Sequence, residues 1–158
     1  MKKKYNIELI VIDYLQIMNC REVARQGRQQ ETSAISSNIK AMAKELKIPV
    51  LVLSQLSRNP EQRGDKSARP KLSDLRDSGA IEQDADVVFL LRRPCRYPGD
   101  DDYEDKTLAI VDVAKHRNGP TGEVKLNFDE TLTRFHDRAD EHRGDLSIRR
   151  DQECVARG

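Results

Sequence analysis

The stretch LIVIDYLQIM, residues 9–18, decides the fold of this chain. Its apolar, largely β-branched residues predict a fully buried strand over residues 7–13. That strand ends on a single carboxylate, Asp13. Because open α/β sheets bind their ligands at the carboxyl ends of the strands, Asp13 is the first candidate functional residue.

A buried strand that ends on an acidic residue is typical of P-loop ATPases, which use this carboxylate to hold Mg²⁺ through water. Such a strand implies a phosphate-binding loop of the form GxxxxGK[ST] earlier in the sequence. Only eight residues precede Leu9, and the loop occurs nowhere in the 158 residues. We therefore expect the later half of a nucleotide-binding domain, without the half that carries the loop.

The composition predicts a soluble, cytoplasmic protein with one domain. Hydrophobic residues make up 37% of the chain and charged residues 35%, and there is no Trp. No apolar run approaches the roughly 20 residues of a membrane-spanning helix, and no cleavage site follows the basic first residues. The three cysteines lack metal-type spacing, which favours reduced thiols. A net charge of +1 indicates no partner by itself.

The next segment predicts a βαβ unit. Residues 19–31 are polar and predict a surface loop, and a helix is predicted from Thr32 up to Ile48-Pro49. The apolar face of that helix consists of Ile35, Ile39, Met42, Ala43 and Leu46. Residues 50–53 predict a second buried strand, which ends on Ser54-Gln55. A strand, a helix and a strand in this order indicate a parallel sheet.

The rest of the chain predicts an exposed loop, a short helix, more strands and a tail. The loop covers residues 58–71, and the helix covers residues 73–85 with Ser73 as its N-cap. Strands are predicted at 87–91, aliphatic enough to be central, at 107–114 and 123–128, which form a hairpin, and at 131–135. Residues 94–105 predict a surface excursion. Residues 136–158 are charged and predict a disordered tail.

Four long stretches in this order resemble one family, the replicative DNA helicases of the DnaB type. They are LIVIDYLQIM, KAMAKELKIPVLVLSQLSR, LSDLRDSGAIEQDADVVFLLRR and AKHRNGPTGEVKLNF. The resemblance covers about residues 7–135. It implies an α/β, RecA-like P-loop ATPase core with a mostly parallel sheet and a C-terminal antiparallel hairpin, here incomplete. Residues 1–135 would be the partial motor domain and residues 136–158 the tail.

The resemblance implies a cytoplasmic, homo-hexameric ring that hydrolyses ATP with Mg²⁺, moves along single-stranded DNA, unwinds duplex and works with other replisome proteins. Because the Walker A loop and the catalytic-glutamate segment are absent, enzymatic activity of this chain alone is left open. The alternative is a non-catalytic or inhibitory module that contributes an arginine finger and a DNA loop to a helicase ring. A recombinase-like or clock-protein-like ATPase is a third interpretation.

Two candidate residues lie at predicted strand ends. The resemblance makes Asp13 the Walker B aspartate, and the alternative is an aspartate that caps a turn after a core strand. It makes Gln55 a sensor of the γ-phosphate, and the alternative is an ordinary surface glutamine.

Lys115 and Arg117 end a further strand, where alternation predicts that both side chains share a face. Two fixed cations suit an arginine-finger role on a transferring phosphoryl group, and in the family the pair acts on the neighbouring subunit's ATP. The alternative is a solvated hairpin edge. His116 lies between the two cations, and alternation points its side chain the other way, so a structural or solvent role is expected.

The resemblance places single-stranded DNA on a loop made of Arg76, Asp77, Ser78 and Gly79. Arg76 would supply charge, and Gly79 would let backbone N–H groups approach phosphate oxygens. Contacts to phosphates alone give binding that does not depend on sequence. Asp77 replaces a glutamate of the family, and Glu82, Gln83 and Asp84 are expected to fix the loop.

The missing half has a predicted energetic consequence. In the RecA-like arrangement, the Walker A strand lies between the strand that ends at Gln55 and the strand that begins at Val87. Each unpaired buried backbone group costs on the order of 1–3 kcal/mol. The isolated chain is therefore expected to be unstable, prone to aggregation, or closed by an alternative strand pairing.

Overall fold

The computed structural model describes residues 5–57, 69–75 and 79–138. The chain divides between Asp86 and Val87 into two compact units, and each is described by itself. Three predicted DNA-loop residues, the larger part of the predicted exposed loop and most of the predicted tail lie outside the described residues. In the described ranges no helix is both long and apolar enough to cross a bilayer.

The first unit contains the predicted βαβ segment. Strand β1 (Ile10–Ile12) pairs in parallel with β2 (Val50–Val52), and helix α1 (Arg28–Leu46) connects them. The register joins Ile10 to Val50 and Ile12 to Val52. The prediction of a parallel pair is confirmed, although both strands are shorter than expected.

The predicted burial of these two strands is wrong on one face. Val11 is 55% exposed and its partner Leu51 is 49% exposed, whereas Ile10 and Val52 on the opposite face are half-buried. Directly paired residues point to the same side of a sheet, so the exposed side chains form an apolar face. A continuous apolar run predicts two covered faces, but here only one face packs against the described part of the unit.

Helix α1 begins at Arg28, four residues before the predicted start. Gly27 precedes it with φ of +103°, a conformation that glycine adopts freely, and no side chain caps the first turn. The helix ends as predicted, because Lys47 takes the left-handed conformation before buried Ile48. The charged residue Glu31 is buried in the first turn of the helix, which a surface-loop prediction for residues 19–31 did not anticipate.

The single helix predicted for residues 73–85 is two elements in the structure. A 3₁₀ turn covers Leu72–Asp74, and helix α2 covers Gly79–Asp84. Ser73 is not an N-cap, since Lys71 holds that position. The buried Asp74 carboxylate accepts the Lys71 N–H at 2.7 Å, and the Asp74 carbonyl accepts the N–H of Ser57 at 2.7 Å.

The second unit is a four-stranded antiparallel sheet in the order β3-β4-β5-β6. The strands are β3 (Val87–Arg92), β4 (Leu108–His116), β5 (Gly122–Asp129) and β6 (Arg134–Asp137). The predicted hairpin is confirmed as the β4–β5 pair. Strand β3 was predicted to be central but is the end strand of the described sheet, with one buried face and one exposed face.

The excursion predicted for residues 94–105 is only partly a surface segment. It begins with a 3₁₀ turn at Pro94–Arg96, and both Pro94 and Asp100 are buried. The buried core of this unit includes Leu90, Ala109 and Ile110. The excursion thus returns to the buried face of the sheet rather than extending from it.

Candidate functional site

Asp13 and Gln55 lie at the same edge of the parallel strand pair. The backbone ladder ends with the Leu53 N–H on the Ile12 carbonyl and the Leu15 N–H on the Leu53 carbonyl, both at 2.9 Å. Asp13 and Gln55 follow at the carboxyl ends of β1 and β2, and both are exposed. The peptide bond between Asp13 and Tyr14 is cis. The structure therefore brings together the two strand-end residues that the sequence singled out in the first unit.

A third residue, Gln16, links these two strand ends, and the sequence reasoning missed it. Its Nε2 donates to the Ser54 hydroxyl at 2.9 Å and to the Gln55 carbonyl at 3.2 Å. Its Oε1 accepts the Gln55 N–H at 3.2 Å. The side-chain amide of Gln16 thus forms hydrogen bonds with both the N–H and the carbonyl of Gln55. No spacing rule predicts this bond, because the partners are 39 positions apart and meet only in the fold.

The first turn of α1 holds the segment that carries Gln16. Arg28 donates to the Gln16 carbonyl at 2.6 Å and to the Met18 carbonyl at 3.2 Å. Its Nη1 also pairs with the Glu31 carboxylate at 2.8 Å. The other Glu31 oxygen accepts the Cys20 N–H at 2.8 Å. The Cys20 hydrogen bond, followed by that of Arg28, lowers the pKa of Glu31 below its ordinary value, which favours the ionised carboxylate.

Helix α2, which begins at Gly79, is tied to α1 by polar contacts. The Ser36 hydroxyl donates to the Asp84 carboxylate at 2.7 Å, and Lys40 pairs with Asp86. Asp84 therefore holds α2 on α1, and the expectation that it fixes the loop of residues 76–79 stays a prediction. Gly79 is exposed, and a Cβ placed on it would meet nothing within 4 Å. Arg76, Asp77 and Ser78 are outside the described residues.

Lys115 and Arg117 belong to the second unit, at the end of β4 and in the turn that follows. The register joins Phe89 to Val113 but Val88 to Lys115, which leaves Ala114 as an extra residue. Such a bulge re-aims the side chains that follow it. Strand β4 ends at His116 and Arg117 lies in the turn that follows, so the shared face of Lys115 and Arg117 stays a prediction. Lys115 is half-buried and Arg117 is exposed.

His116 supports the turn between β4 and β5. Its Nδ1 lies 3.2 Å from the Pro120 carbonyl, within hydrogen-bonding distance. The ring covers Gly119 so closely that a Cβ there would lie 2.3 Å from His116 Cε1. The turn that follows the two cations is thus shaped by contacts of His116, in agreement with a structural role for this residue.

The fold defines the class of the chain: an α/β, RecA-like fold of the kind found in solved helicase ATPase domains. Sequence comparison places it more narrowly. The family described as DnaB-like helicase C terminal domain matches residues 1–137, and the chain belongs to this family.

Relatives of the chain include bacterial replicative helicases. The chain is 50% identical over 139 residues to the replicative DNA helicase DnaB of Leifsonia xyli subsp. xyli, covering 88% of this chain and 29% of the relative. It is 47% identical over 135 residues to the replicative DNA helicase DnaB of Geobacillus stearothermophilus, covering 85% of this chain and 29% of the relative. The chain thus spans about three-tenths of the length of these relatives.

Solved structures agree with the sequence comparison. One structure, described as an ATPase domain, matches with a TM-score of 0.74 and 44% identity, covering 82% of this chain and 44% of that chain. A DnaB-like replicative helicase, described together with its interactions with primase, matches with a TM-score of 0.71 and 43% identity. That match covers 82% of this chain and 31% of the helicase chain.

Proposed function

We propose that this chain is the part of a replicative DNA helicase motor that begins at the Walker B strand. In the complete motor it would couple ATP hydrolysis to movement along single-stranded DNA and to duplex unwinding in a homo-hexameric ring. The observation that carries the proposal is the placement of Asp13 and Gln55 at one edge of a parallel strand pair, in a chain of the DnaB-like family. The 158 residues contain no GxxxxGK[ST] loop, so another part of the motor must supply it.

Asp13 and Gln55 would face the nucleotide. Mg²⁺ in nucleotide sites is held by one or two carboxylates together with substrate phosphates, and one exposed carboxylate at a strand end fits that role. When bound, the ion would neutralise charge on the β- and γ-phosphates. The exposed Gln55 amide can donate to a phosphate oxygen and accept from a water. The adjoining backbone of Gln55 is already held, so the amide can act as a sensor from a fixed base.

Lys115 and Arg117 would act as the finger on ATP bound by the neighbouring subunit. Arginine presents five donors in a rigid fork and stays charged, which suits a transferring phosphoryl group. The rigid β4–β5 hairpin and its His116-supported turn give the two cations a firm base. Other replisome proteins are proposed partners of the ring, and primase is the one that a solved relative's description mentions.

Arg76, Asp77, Ser78 and Gly79 would bind the phosphates of single-stranded DNA. The support within the described residues is the fixed position of α2, whose last residue Asp84 is bonded to Ser36. A loop that leads into a fixed helix can hold backbone N–H groups towards phosphates without reading bases.

The proposed function can be tested with a chimera. The whole 158-residue chain replaces the matching C-terminal part of the Geobacillus stearothermophilus relative, which contributes the phosphate-binding loop. We expect the chimera to hydrolyse ATP with stimulation by single-stranded DNA. Asp13→Asn should lower the rate at least about a hundredfold, because it removes the charge that holds the ion.

The matched control is Glu45→Gln, the same acid-to-amide change at an exposed position on α1. It should leave the rate unchanged. An Asp13→Asn chimera as active as the Glu45→Gln chimera would exclude the proposed nucleotide site.

DNA binding is tested separately by measuring the affinity of the chimera for single-stranded DNA against salt concentration. Arg76→Ala should weaken binding and reduce the slope of log affinity against log salt by about 0.7 for each phosphate that is no longer neutralised. Lys44→Ala, at an exposed position on α1, is the control and should change neither. Equal effects of the two changes would show that Arg76 contributes only general charge.

A further inference from the structure

The polar network around Gln16 joins the proposed metal-binding segment to the proposed sensor. Asp13 and Gln16 are three positions apart, on the segment that leaves β1, whereas Gln55 follows β2. After the hydrogen bond from the Leu15 N–H to the Leu53 carbonyl, the segment that follows β1 forms a 3₁₀ turn, Leu15–Ile17, and no main-chain group pairs with Gln55 among the described residues. The Gln16 amide takes that place, with its Oε1 and Nε2 each 3.2 Å from the Gln55 backbone. The Gln16 side chain therefore bonds to the N–H and carbonyl of Gln55 in the way that a further residue of the neighbouring strand would.

The network is held from both ends. The Gln16 carbonyl accepts a 2.6 Å hydrogen bond from Arg28, and Arg28 is itself fixed by the buried Glu31 carboxylate. Hydrogen bonds with a charged partner are shorter and stronger than neutral ones. On the other side, the Ser54 hydroxyl accepts from Gln16 at 2.9 Å. Gln16 thus has little freedom to rotate, and any shift of its segment moves the Gln55 backbone with it.

The geometry points to Gln16 as a positioning residue that sets the Gln55 backbone and couples it to the segment of Asp13, with Arg28 as its anchor. The inference rests on the proposed function and deepens it, because it gives the sensor a defined mechanical connection to the metal-binding strand. Gln16 itself need not touch nucleotide. Its effect would appear in the turnover step, where misplacing a group by about 1 Å costs up to about a hundredfold in rate.

The test uses the same chimera and measures kcat and KM for ATP in the presence of saturating single-stranded DNA. Gln16→Ala is expected to lower kcat between about tenfold and a hundredfold and to leave KM within about twofold. Gln30→Ala, at an exposed position on α1, is the matched control and should leave both constants unchanged. A rise in KM with unchanged kcat would overturn the inference.

A double-mutant cycle distinguishes positioning from general support of the fold. If Gln16 acts through Gln55, then Gln16→Ala should cost less than about twofold further once Gln55 is already alanine. Ser54→Ala removes only the hydroxyl partner and should cost less than Gln16→Ala. Equal fold losses from Gln16→Ala in both backgrounds would contradict action through Gln55.

A measurement that does not depend on activity separates this inference from the proposed function. Hydrogen–deuterium exchange of the chimera reports directly on the Gln55 N–H, which donates to the Gln16 side chain. Exchange in a peptide covering residues 54–57 should be faster in Gln16→Ala than in Gln30→Ala. Unchanged exchange would refute the positioning role even if the chimera is active. If the chimera is inactive but exchange at Gln55 is still faster in Gln16→Ala, the result contradicts the proposed function and supports the hydrogen bond between Gln16 and Gln55.

Discussion

The Arg92 guanidinium and the Asp100 carboxylate form an ion pair in the second unit, with Nη1 and Oδ2 2.5 Å apart and both side chains almost completely buried. Asp100 also accepts the Asp102 N–H at 3.1 Å, so the pair fixes the excursion after β3. A second carboxylate, that of Glu123, lies 3.9 Å from Arg92 Nη2 and its side chain is 43% exposed. Removing Asp100 would therefore leave the buried guanidinium with much weaker compensation of its charge.

We expect Asp100→Ala to destabilise the second unit by about 3–5 kcal/mol, the usual cost of breaking a buried ion pair. Replacing both partners, Arg92→Met with Asp100→Leu, should cost clearly less because no charge is left behind. Proteolysis in increasing urea at low protein concentration measures the difference. Glu104→Ala, four residues further on and exposed, serves as the control. Equal losses of unfolding free energy in Asp100→Ala and in the double variant would show that lost packing, rather than an unpaired buried charge, causes the destabilisation.

A second prediction concerns the turn beside the proposed finger. Gly119→Ala should displace the His116 ring and break its contact with the Pro120 carbonyl, because the new Cβ would lie 2.3 Å from His116 Cε1. The expected cost is about 1 kcal/mol, the contribution of one hydrogen bond. Gly122→Ala is the matched control, since a Cβ there meets nothing within 4 Å.

The His116→Ala background provides the decisive comparison for this turn. With the ring removed, Gly119→Ala should cost almost nothing further. The measurement is the urea midpoint of each variant. If Gly119→Ala lowered stability as much in the His116→Ala background as in the parent, the backbone of the turn, and not the ring, would require glycine.

A third prediction follows from Asp105. The Arg138 guanidinium, and then the Thr107 hydroxyl, lower the pKa of Asp105 from 3.8 to about 2. A carboxylate with a lowered folded-state pKa stabilises the fold above its unfolded pKa, and this stabilisation is lost as the pH falls. The contribution should therefore be complete above about pH 4 and disappear towards about pH 2.

The size of this effect is about 1 kcal/mol, since the Asp105 side chain is 31% exposed and partly screened by solvent. Asp105→Asn should be less stable than the parent at pH 6 and close to it at pH 2. Glu104→Gln, its exposed neighbour, should follow the parent at both values. A stability difference between Asp105→Asn and the parent that does not change between pH 6 and pH 2 would contradict the assignment.

The sequence predicted the local elements well and their surroundings poorly. Alternation and turn residues were enough to predict the β4–β5 hairpin, because hairpin signals are local. The start of α1 was wrong because Arg28 follows a glycine with no side-chain cap, so the usual N-cap signal is missing. The burial of β1, β2 and β3 was overestimated because an apolar run does not reveal which neighbours cover each face.

The same distinction holds for the candidate site. Asp13 and Gln55 could be singled out because each ends a predicted strand, which is a local property, whereas their roles come from the family resemblance and stay predictions. Gln16 and Arg28 were missed because their role depends on hydrogen bonds between distant segments. A spacing of three residues between Arg28 and Glu31 was the one available signal, and it becomes visible only when the helix start is known.

A fourth prediction concerns the exposed apolar faces. Val11 and Leu51 are paired across β1 and β2 and about half exposed. Replacing both with threonine should reduce binding of a hydrophobic dye and concentration-dependent association of the isolated chain. In the chimera the same change should lower stability by about 1.5–3 kcal/mol for each side chain that becomes buried.

Leu132→Thr is the control, because Leu132 is exposed in the turn between β5 and β6. It should not change stability in the chimera. If the Val11 and Leu51 changes were equally harmless there, the exposed face of the first unit would have no packing role in the complete motor.

The last prediction tests whether the proposed finger acts between subunits. In the chimera, Arg117→Ala should abolish ATP hydrolysis by removing the cation that stabilises transferring charge, a loss of about 10³-fold or more. Asp13→Asn should also abolish ATP hydrolysis, because it removes the carboxylate proposed to hold Mg²⁺. A ring interface is heterologous, so each ATP would meet the finger of the next subunit.

Mixing the two inactive chimeras should therefore restore hydrolysis. A subunit with Arg117→Ala keeps Asp13, and a neighbour with Asp13→Asn supplies an intact Arg117. With equal amounts and random mixing, about a quarter of the interfaces combine both intact residues, which sets the expected activity relative to the parent. Mixing Arg117→Ala with inactive Asp13→Asn that also carries Arg117→Ala is the control and should restore nothing. No recovery in the first mixture, with mixed rings verified by mass spectrometry, would mean that Arg117 serves its own subunit.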